Sequence, residues 1–300
     1  MTAPLPSSSS PTGSTQRTGW FSGMIGVVIF SASLPATRIA VLSLTPLFLT
    51  FARAAIAGLL ASVFLLIARQ RPPARADLGG LGLVALGAVL GFPLLSALAL
   101  RHMTSAHALL FIALLPLSTA SFAVLLAKER PKSIFWMFAA AGAALVAAYA
   151  MTHDRGADSL LGDALMLAAI AVCGLGYAEG GRLSRRLGGW QVISWALVIS
   201  LPFMLPLAIW QTPINWEVIG WPAWMGLAYV SVFSMLIGFV FWYRGLAQGG
   251  IAAVGQLQLL QPFLGLGLAA LLLREPVGWS LVSTSLGVVF CVAGAKRFAA

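Results

Sequence analysis

His107–Arg130 reads HALLFIALLPLSTASFAVLLAKER, and Ala253–Pro276 reads AVGQLQLLQPFLGLGLAALLLREP. Each is an apolar stretch long enough to cross a bilayer, interrupted by a proline and followed thirteen residues later by a glutamate. A shift of 146 positions brings Ala106 onto Ala252, Leu114 onto Leu260, Pro116 onto Pro262 and Glu129 onto Glu275. A proline inside a helix removes one backbone hydrogen bond and clashes with the preceding turn, so both stretches are expected to kink or open midway. Carbonyls freed at that depth are tolerated only where protein or water receives them. One such proline is an ordinary kink; two at matched positions point to a central cavity between the copies.

The rest of the chain supports the same reading. Of its 300 residues, 60% are hydrophobic and only 9% charged, against about a quarter charged in a soluble domain. Most of its surface must face lipid. The apolar runs match helices rather than the short alternating strands of an outer-membrane barrel. Spans are expected near 19–36, 46–68, 79–100, 105–127, 133–150, 160–181, 190–210, 221–244, 251–273 and 278–296. The breaks carry turn chemistry: Thr45-Pro46, Pro72-Pro73, Arg130-Pro131, Gly188-Gly189, Gly249-Gly250 and Glu275-Pro276. Pro93 and Pro202 predict further bends.

The two proline-bearing copies lie five spans apart, an odd number, so they run in opposite directions. The expected fold class is therefore an all-α membrane protein of ten transmembrane helices, built as two inverted five-helix repeats around a central cavity. Residues 1–18, rich in Ser, Pro and Thr, are expected to be a disordered cytoplasmic tail. The first repeat is expected over 19–150 and the second over 151–300. Inverted repeats of this kind are an architecture of secondary transporters.

Charge sets the orientation. The formal net charge is +10, but the basic residues sit in short loops, so topology explains it better than nucleic acid does. With the N-terminus inside, 13 Lys and Arg fall on the cytoplasmic side and four (Arg38, Arg101, Arg155, Arg274) outside, with Arg53 left within a span. Both termini are expected in the cytoplasm of a multi-pass bacterial inner-membrane protein. Trp20, Trp136, Trp190, Trp210, Trp216, Trp221, Trp224, Trp242 and Trp279 fall near span ends, as an aromatic belt would.

Polar side chains within the spans are the candidate site. Gln258 and Gln261, at i and i+3 in the ninth span, are expected to hydrogen-bond a solute, or else to tie helices together. Gln256 sits well round the same helix. Arg53 lies about seven residues inside the second span; an intramembrane arginine either serves function, snorkels to the interface or pairs, here with Asp163. Ser31 and Ser33, Tyr177, and Tyr229 with Ser234 are further cavity candidates. Trp195 could stack a ligand or simply pack. His107 is expected to be interfacial or hydrogen-bonded rather than a proton relay.

The acids Asp77, Glu129, Asp154, Asp158, Asp163, Glu179, Glu217 and Glu275 all fall in loops or near span ends. None is expected at mid-depth, so uniport or exchange is favoured over obligatory proton coupling, with Glu179 the one exception to consider. No nucleotide-binding or zinc-protease motif is present, and Ser105 with His107 point to different faces, so no catalytic residues are expected. Cys173 and Cys291 lie within apolar segments and suggest neither a disulfide nor a metal site. No cofactor, metal or nucleic-acid partner is expected. Small residues in the fifth span (Ala139, Gly142, Ala143) and the tenth (Gly287, Gly294) suit close packing, within a monomer or across a homodimer.

With these residues in place, the chain resembles the EamA-type ten-helix group of the drug/metabolite transporter superfamily over nearly its whole length. Arg53 in Phe51-Ala52-Arg53-Ala54-Ala55 is similar to that family's arginine in span two. The segments ending at Glu129-Arg130 and Glu275-Pro276 are similar to its paired proline helices. Phe30-Ser31-Ala32-Ser33 stands where members often have Trp-Gly. The resemblance implies a central cavity, alternating access and export of small organic solutes. Within the family, the glutamines and the aromatic content are most similar to the bacterial aromatic amino-acid exporters. The expected function is export of aromatic and other neutral amino acids, or similar amphipathic metabolites. The competing expectation is an intramembrane enzyme or a non-transporting receptor or scaffold.

Overall fold

The computed structural model describes residues 13–127, 132–153 and 157–297. Glu129, Arg130, Asp154, Arg155 and most of the expected tail lie outside them. Helix α1 covers Gly13–Ser31 and, after the single turn residue Ala32, Ser33–Val41. It thus starts inside the stretch expected to be a tail. Next come α2 (Pro46–Ile67), α3 (Arg75–His102), α4 (Ser105–Leu126), α5 (Ser133–His153) and α6 (Ala157–Leu187). They are followed by α7 (Gly189–Trp210), α8 (Trp221–Gly249), α9 (Ile251–Gly255 and on to Leu273) and α10 (Trp279–Arg297).

Among the described residues, seven helices are long and apolar enough to cross a membrane: α1, α2, α3, α4, α6, α7 and α8. Shorter apolar helices cover Leu257–Leu273 and Trp279–Cys291. Several helices outrun the hydropathy boundaries, α6 to Leu187 and α8 to Gly249, because backbone hydrogen bonding continues where apolar character ends.

Local chemistry sets the helix ends. Thr45 caps α2 by accepting from the Phe48 N–H at 3.2 Å, with Pro46 in the first turn, where its missing N–H costs nothing. Thr104 caps α4 in the same way through the His107 N–H, at 3.1 Å. The one-residue turns from α6 to α7 and from α8 to α9 use Gly188 (φ 95°) and Gly250 (φ 90°), a left-handed backbone that a side chain would strain.

Besides α1, four helices are irregular midway. In α4 the α-helix stops at Ile112 and resumes at Leu115, immediately before Pro116. In α9 a 3₁₀ segment, Gln256–Leu260, precedes the α-helix that carries Pro262 in its first turn. Helix α3 widens to a π-helix over Ala85–Gly91, just before Pro93, and α8 over Tyr229–Gly238. The offset relating Pro116 to Pro262 also carries the α3 π-segment into that of α8, and the α4 break into the 3₁₀ segment of α9.

Packing follows the same correspondence. Helices α2 and α7 pack together, as do α5 and α10, while α1 packs on α8 and α6 on α3. If α1–α5 are matched to α6–α10, the first two pairs map onto themselves and the last two onto each other. Small residues allow the closest approaches: a Cβ on Gly245 would come within 2.7 Å of the Gly23 nitrogen, joining α8 to α1. The glycines of α5 and α10 face one another's helix, Gly142 toward Cys291 and Gly294 toward Phe138.

The perimeter is apolar, with Phe64, Leu66, Leu86, Phe203 and Leu271 exposed. In water such a surface would aggregate; in lipid it is the expected exterior. Trp210, Trp216, Trp221 and Trp279 are exposed, as an interfacial belt requires. Trp242 corrects that expectation. It is fully buried, its backbone and Cβ against Gly26 of α1, because the span that carries it runs on to Gly249.

Candidate functional site

The irregular segments of α3, α4, α8 and α9 converge on one internal cavity. Its walls are Phe30, Ser33 and Leu34 from α1, Arg53 from α2, Ala88, Phe92 and Pro93 from α3, and Leu115 from α4. Tyr177 from α6, Ser234 and Phe239 from α8, and Gln261 from α9 complete them. Leu115 and Gln261 each stand next to the proline that interrupts their helix. The cavity encloses about 20 Å³, room for about one water molecule. Little free volume is left at its centre.

The polar lining forms a short chain. The Ser33 hydroxyl donates to Ser234 Oγ at 2.8 Å, and Arg53 Nη2 donates to the same oxygen at 3.3 Å. Gln261 Nε2 donates to the Phe30 carbonyl at 3.3 Å, while its Oε1 has no partner. Gln258 is fully buried beside the Tyr177 hydroxyl, yet neither of its amide atoms completes a hydrogen bond. Buried amides are ordinarily satisfied, so two incomplete ones at one place are unusual.

One side of the cavity is aromatic. Phe30 stacks toward Tyr177 at 6.4 Å between ring centroids and meets Phe239 edge-on at 5.1 Å; Tyr177 meets Phe239 at 5.7 Å. Trp242 and Tyr243 back this group, and the Tyr243 hydroxyl donates to the Gly176 carbonyl at 3.2 Å. Reading the sequence for polar residues alone missed Phe30, Phe92 and Phe239. The available signal was helical spacing: Phe30 shares a face with Ser33 and Leu34 at i+3 and i+4.

Arg53, Ser33, Tyr177, Gln261 and Ser234 are thus brought together, with Gln258 beside them. Trp195 is not. It lines a separate groove between α2 and α7 with Ser62, Leu65, Arg69 and Val198, because its face of α7 turns toward the end of α2. Ser31 donates to the Val27 carbonyl within its own helix, and Tyr229 ties α8 to α1 through the Ile29 carbonyl at 2.7 Å. The side chain of Gln256 lies outside the described residues.

The acids are engaged elsewhere. Asp163 stands 3.4 Å from His107 Nε2, so the alternative in which it pairs with Arg53 is not realised. Glu179, the exceptional acid of the sequence, accepts from Arg182 at 2.6 and 2.8 Å, and Asp77 pairs with Arg186. A wider hollow of about 430 Å³ opens at the α3–α4 turn, lined by Arg38, Arg101, His102, Thr104, His107 and Tyr149. Grooves of about 420 and 350 Å³ on the perimeter are lined almost wholly by apolar side chains and suit lipid.

A buried, closed cavity between interrupted helices, with no nucleophile–base pair in its lining, fits passage of a solute rather than chemistry on one. Comparison with known proteins agrees. The sequence profile of the EamA-like transporter family matches twice, at residues 17–151 and 160–296. An uncharacterized transporter, YdeK of Bacillus subtilis (strain 168), is 66% identical over 281 residues, covering 94% of this chain and 98% of its own. A protein of known crystal structure shares the fold at a TM-score of 0.67 with 19% identity, over 95% of this chain and 99% of that one. The two halves first seen as a weak proline–glutamate repeat are the two units of a membrane transporter, and the chain belongs to the EamA-like transporter family of the drug/metabolite superfamily.

Proposed function

We propose that this transporter exports small amphipathic metabolites, aromatic and other neutral amino acids foremost, by alternating access. The observation that carries the reading is the central cavity itself, where an aromatic wall faces a cluster of amides, hydroxyls and one guanidinium. Such a lining offers an apolar body a surface and a polar head its hydrogen bonds. Ser33, Arg53, Tyr177, Gln258 and Gln261 are its solute-contacting residues, and the breaks before Pro116 and Pro262 are its hinges.

In this reading all ten helices cross the plasma membrane as two inverted five-helix halves with both termini in the cytoplasm. The loop charge asymmetry supports the orientation. Helix α5, at 21 residues, has a length of about 30 Å at the usual helical rise. The α3–α4 turn then faces outward. Counterflow of labelled Phe, Met and Thr into proteoliposomes tests the reading. Uptake of at least one supports it, and flux of none removes amino acids as the cargo.

A further inference from the structure

Arg53 is 4% exposed and stands in the cavity wall with an incomplete set of partners. Among the described residues its hydrogen bond is to a neutral hydroxyl, that of Ser234, and its Nε has no partner. None of the lining residues is acidic. The acids whose side chains the structure describes are occupied or remote: Asp77 by Arg186, Glu179 by Arg182, Asp163 by His107, Glu275 at the start of α4, and Glu217 exposed in the short 3₁₀ turn between α7 and α8. A buried guanidinium without a counter-anion is costly, and its planar fork matches a carboxylate in a way a point charge does not.

We propose that Arg53 is the carboxylate-binding residue of this transporter and that a carboxylate is required of the solutes it carries. The inference rests on the transport reading above and narrows it, since amides and aromatic rings alone would accept amines and uncharged solutes equally. A carboxylate displacing the Ser234 hydroxyl would accept from Nη2 and Nε together, satisfying the donor left open. The free Gln261 Oε1 then remains to accept from an ammonium or hydroxyl on the same solute. Cationic amines, which meet like charge at Arg53 and no acid in the walls, are excluded.

The test uses whole protein in proteoliposomes and compares an amino acid found to be carried with its own amide, which keeps the side chain and loses the carboxylate. Hydrogen bonds to charged groups correspond to about ten- to a hundredfold in affinity, so the acid should compete in counterflow at least about tenfold better than the amide. Arg53→Gln should collapse that ratio toward unity, whereas Gln261→Ala should weaken both compounds and leave it standing. Arg53→Lys keeps the charge without the fork, and serves if Arg53→Gln does not fold; it should retain a reduced ratio. Equal competition by acid and amide in the natural protein, or an unchanged ratio in Arg53→Gln, overturns the proposal. If no amino acid is carried, the cargo reading fails separately. Thermal stabilisation by 3-phenylpropanoate against 3-phenylpropanamide then decides: an advantage for the acid that requires Arg53 supports the proposal, and its absence overturns it.

Discussion

Glu275 and Ser105, 170 residues apart in the chain, are joined at the first turn of α4 by two hydrogen bonds. The carboxylate accepts from the Ser105 N–H at 3.0 Å and from its hydroxyl at 2.7 Å. It also accepts from the Ala106 N–H at 2.8 Å. Arg274, in the left-handed conformation (φ 53°), ends α9 and turns the chain so that Glu275 points at this helix start. Unpaired N–H groups and the positive end of the helix dipole make that start a favourable place for an anion. One carboxylate therefore ties the end of one broken helix to the beginning of the other.

Removing the tie should loosen the α3–α4 end. Glu275→Ala leaves two N–H groups and a buried hydroxyl without their acceptor, and losing a capping acceptor at a helix start costs about 0.5–2 kcal/mol. Glu275→Gln keeps one acceptor oxygen and should fall between the two. Thermal unfolding of the detergent-solubilised protein measures the order natural, Gln, Ala. Equal midpoints for all three would mean that other contacts hold this end closed.

The sequence made some of this legible and hid the rest for a physical reason. Proline at 116 and 262 announces a break whatever surrounds it, because the missing N–H is intrinsic to the residue, and the structure breaks both helices there. Arginine at 53 announces itself equally, since a charge in an apolar run must be accommodated. What such helices do not reveal is which face turns inward: with apolar residues all round, periodicity loses its contrast. Trp242, expected at the lipid interface, is core; Phe30 and Phe239 carry no polar sign in the sequence that they wall a cavity; and Trp195, expected to stack a ligand or simply pack, does not line it. The π-segments at Ala85–Gly91 and Tyr229–Gly238 carry no composition of their own and emerge only from packing.

The two breaks yield a prediction about flux. A proline disfavours an unbroken helix by about 3 kcal/mol. Pro116→Ala, or its counterpart Pro262→Ala, should let the helix close over its interruption and favour one conformation. Thermal stability is expected to hold or rise while counterflow falls at least severalfold, more in the double variant than in either single one. Undiminished flux in the double variant would place the hinges elsewhere, with the π-segments of α3 and α8 the next to examine.

Gln258 offers the sharpest separation of site from scaffold. Its amide is fully buried beside the Tyr177 hydroxyl, and neither polar atom completes a hydrogen bond of good geometry. Burying an unsatisfied polar group costs about 1–3 kcal/mol, so Gln258→Leu, close in volume and wholly apolar, should raise the thermal midpoint. If the amide is there to meet a solute, the same change should cut flux, and stability and transport will move in opposite directions. Helix glue behaves differently: removing it lowers stability, and flux follows only so far as folding does. Gln261 supplies the control. Its Nε2 is bonded to the Phe30 carbonyl at 3.3 Å, so Gln261→Leu gives up a real contact between α9 and α1 and should stabilise less, or not at all. A midpoint that falls in Gln258→Leu with flux intact would return this glutamine to the scaffold and leave Arg53, Tyr177 and Gln261 as the polar side of the site.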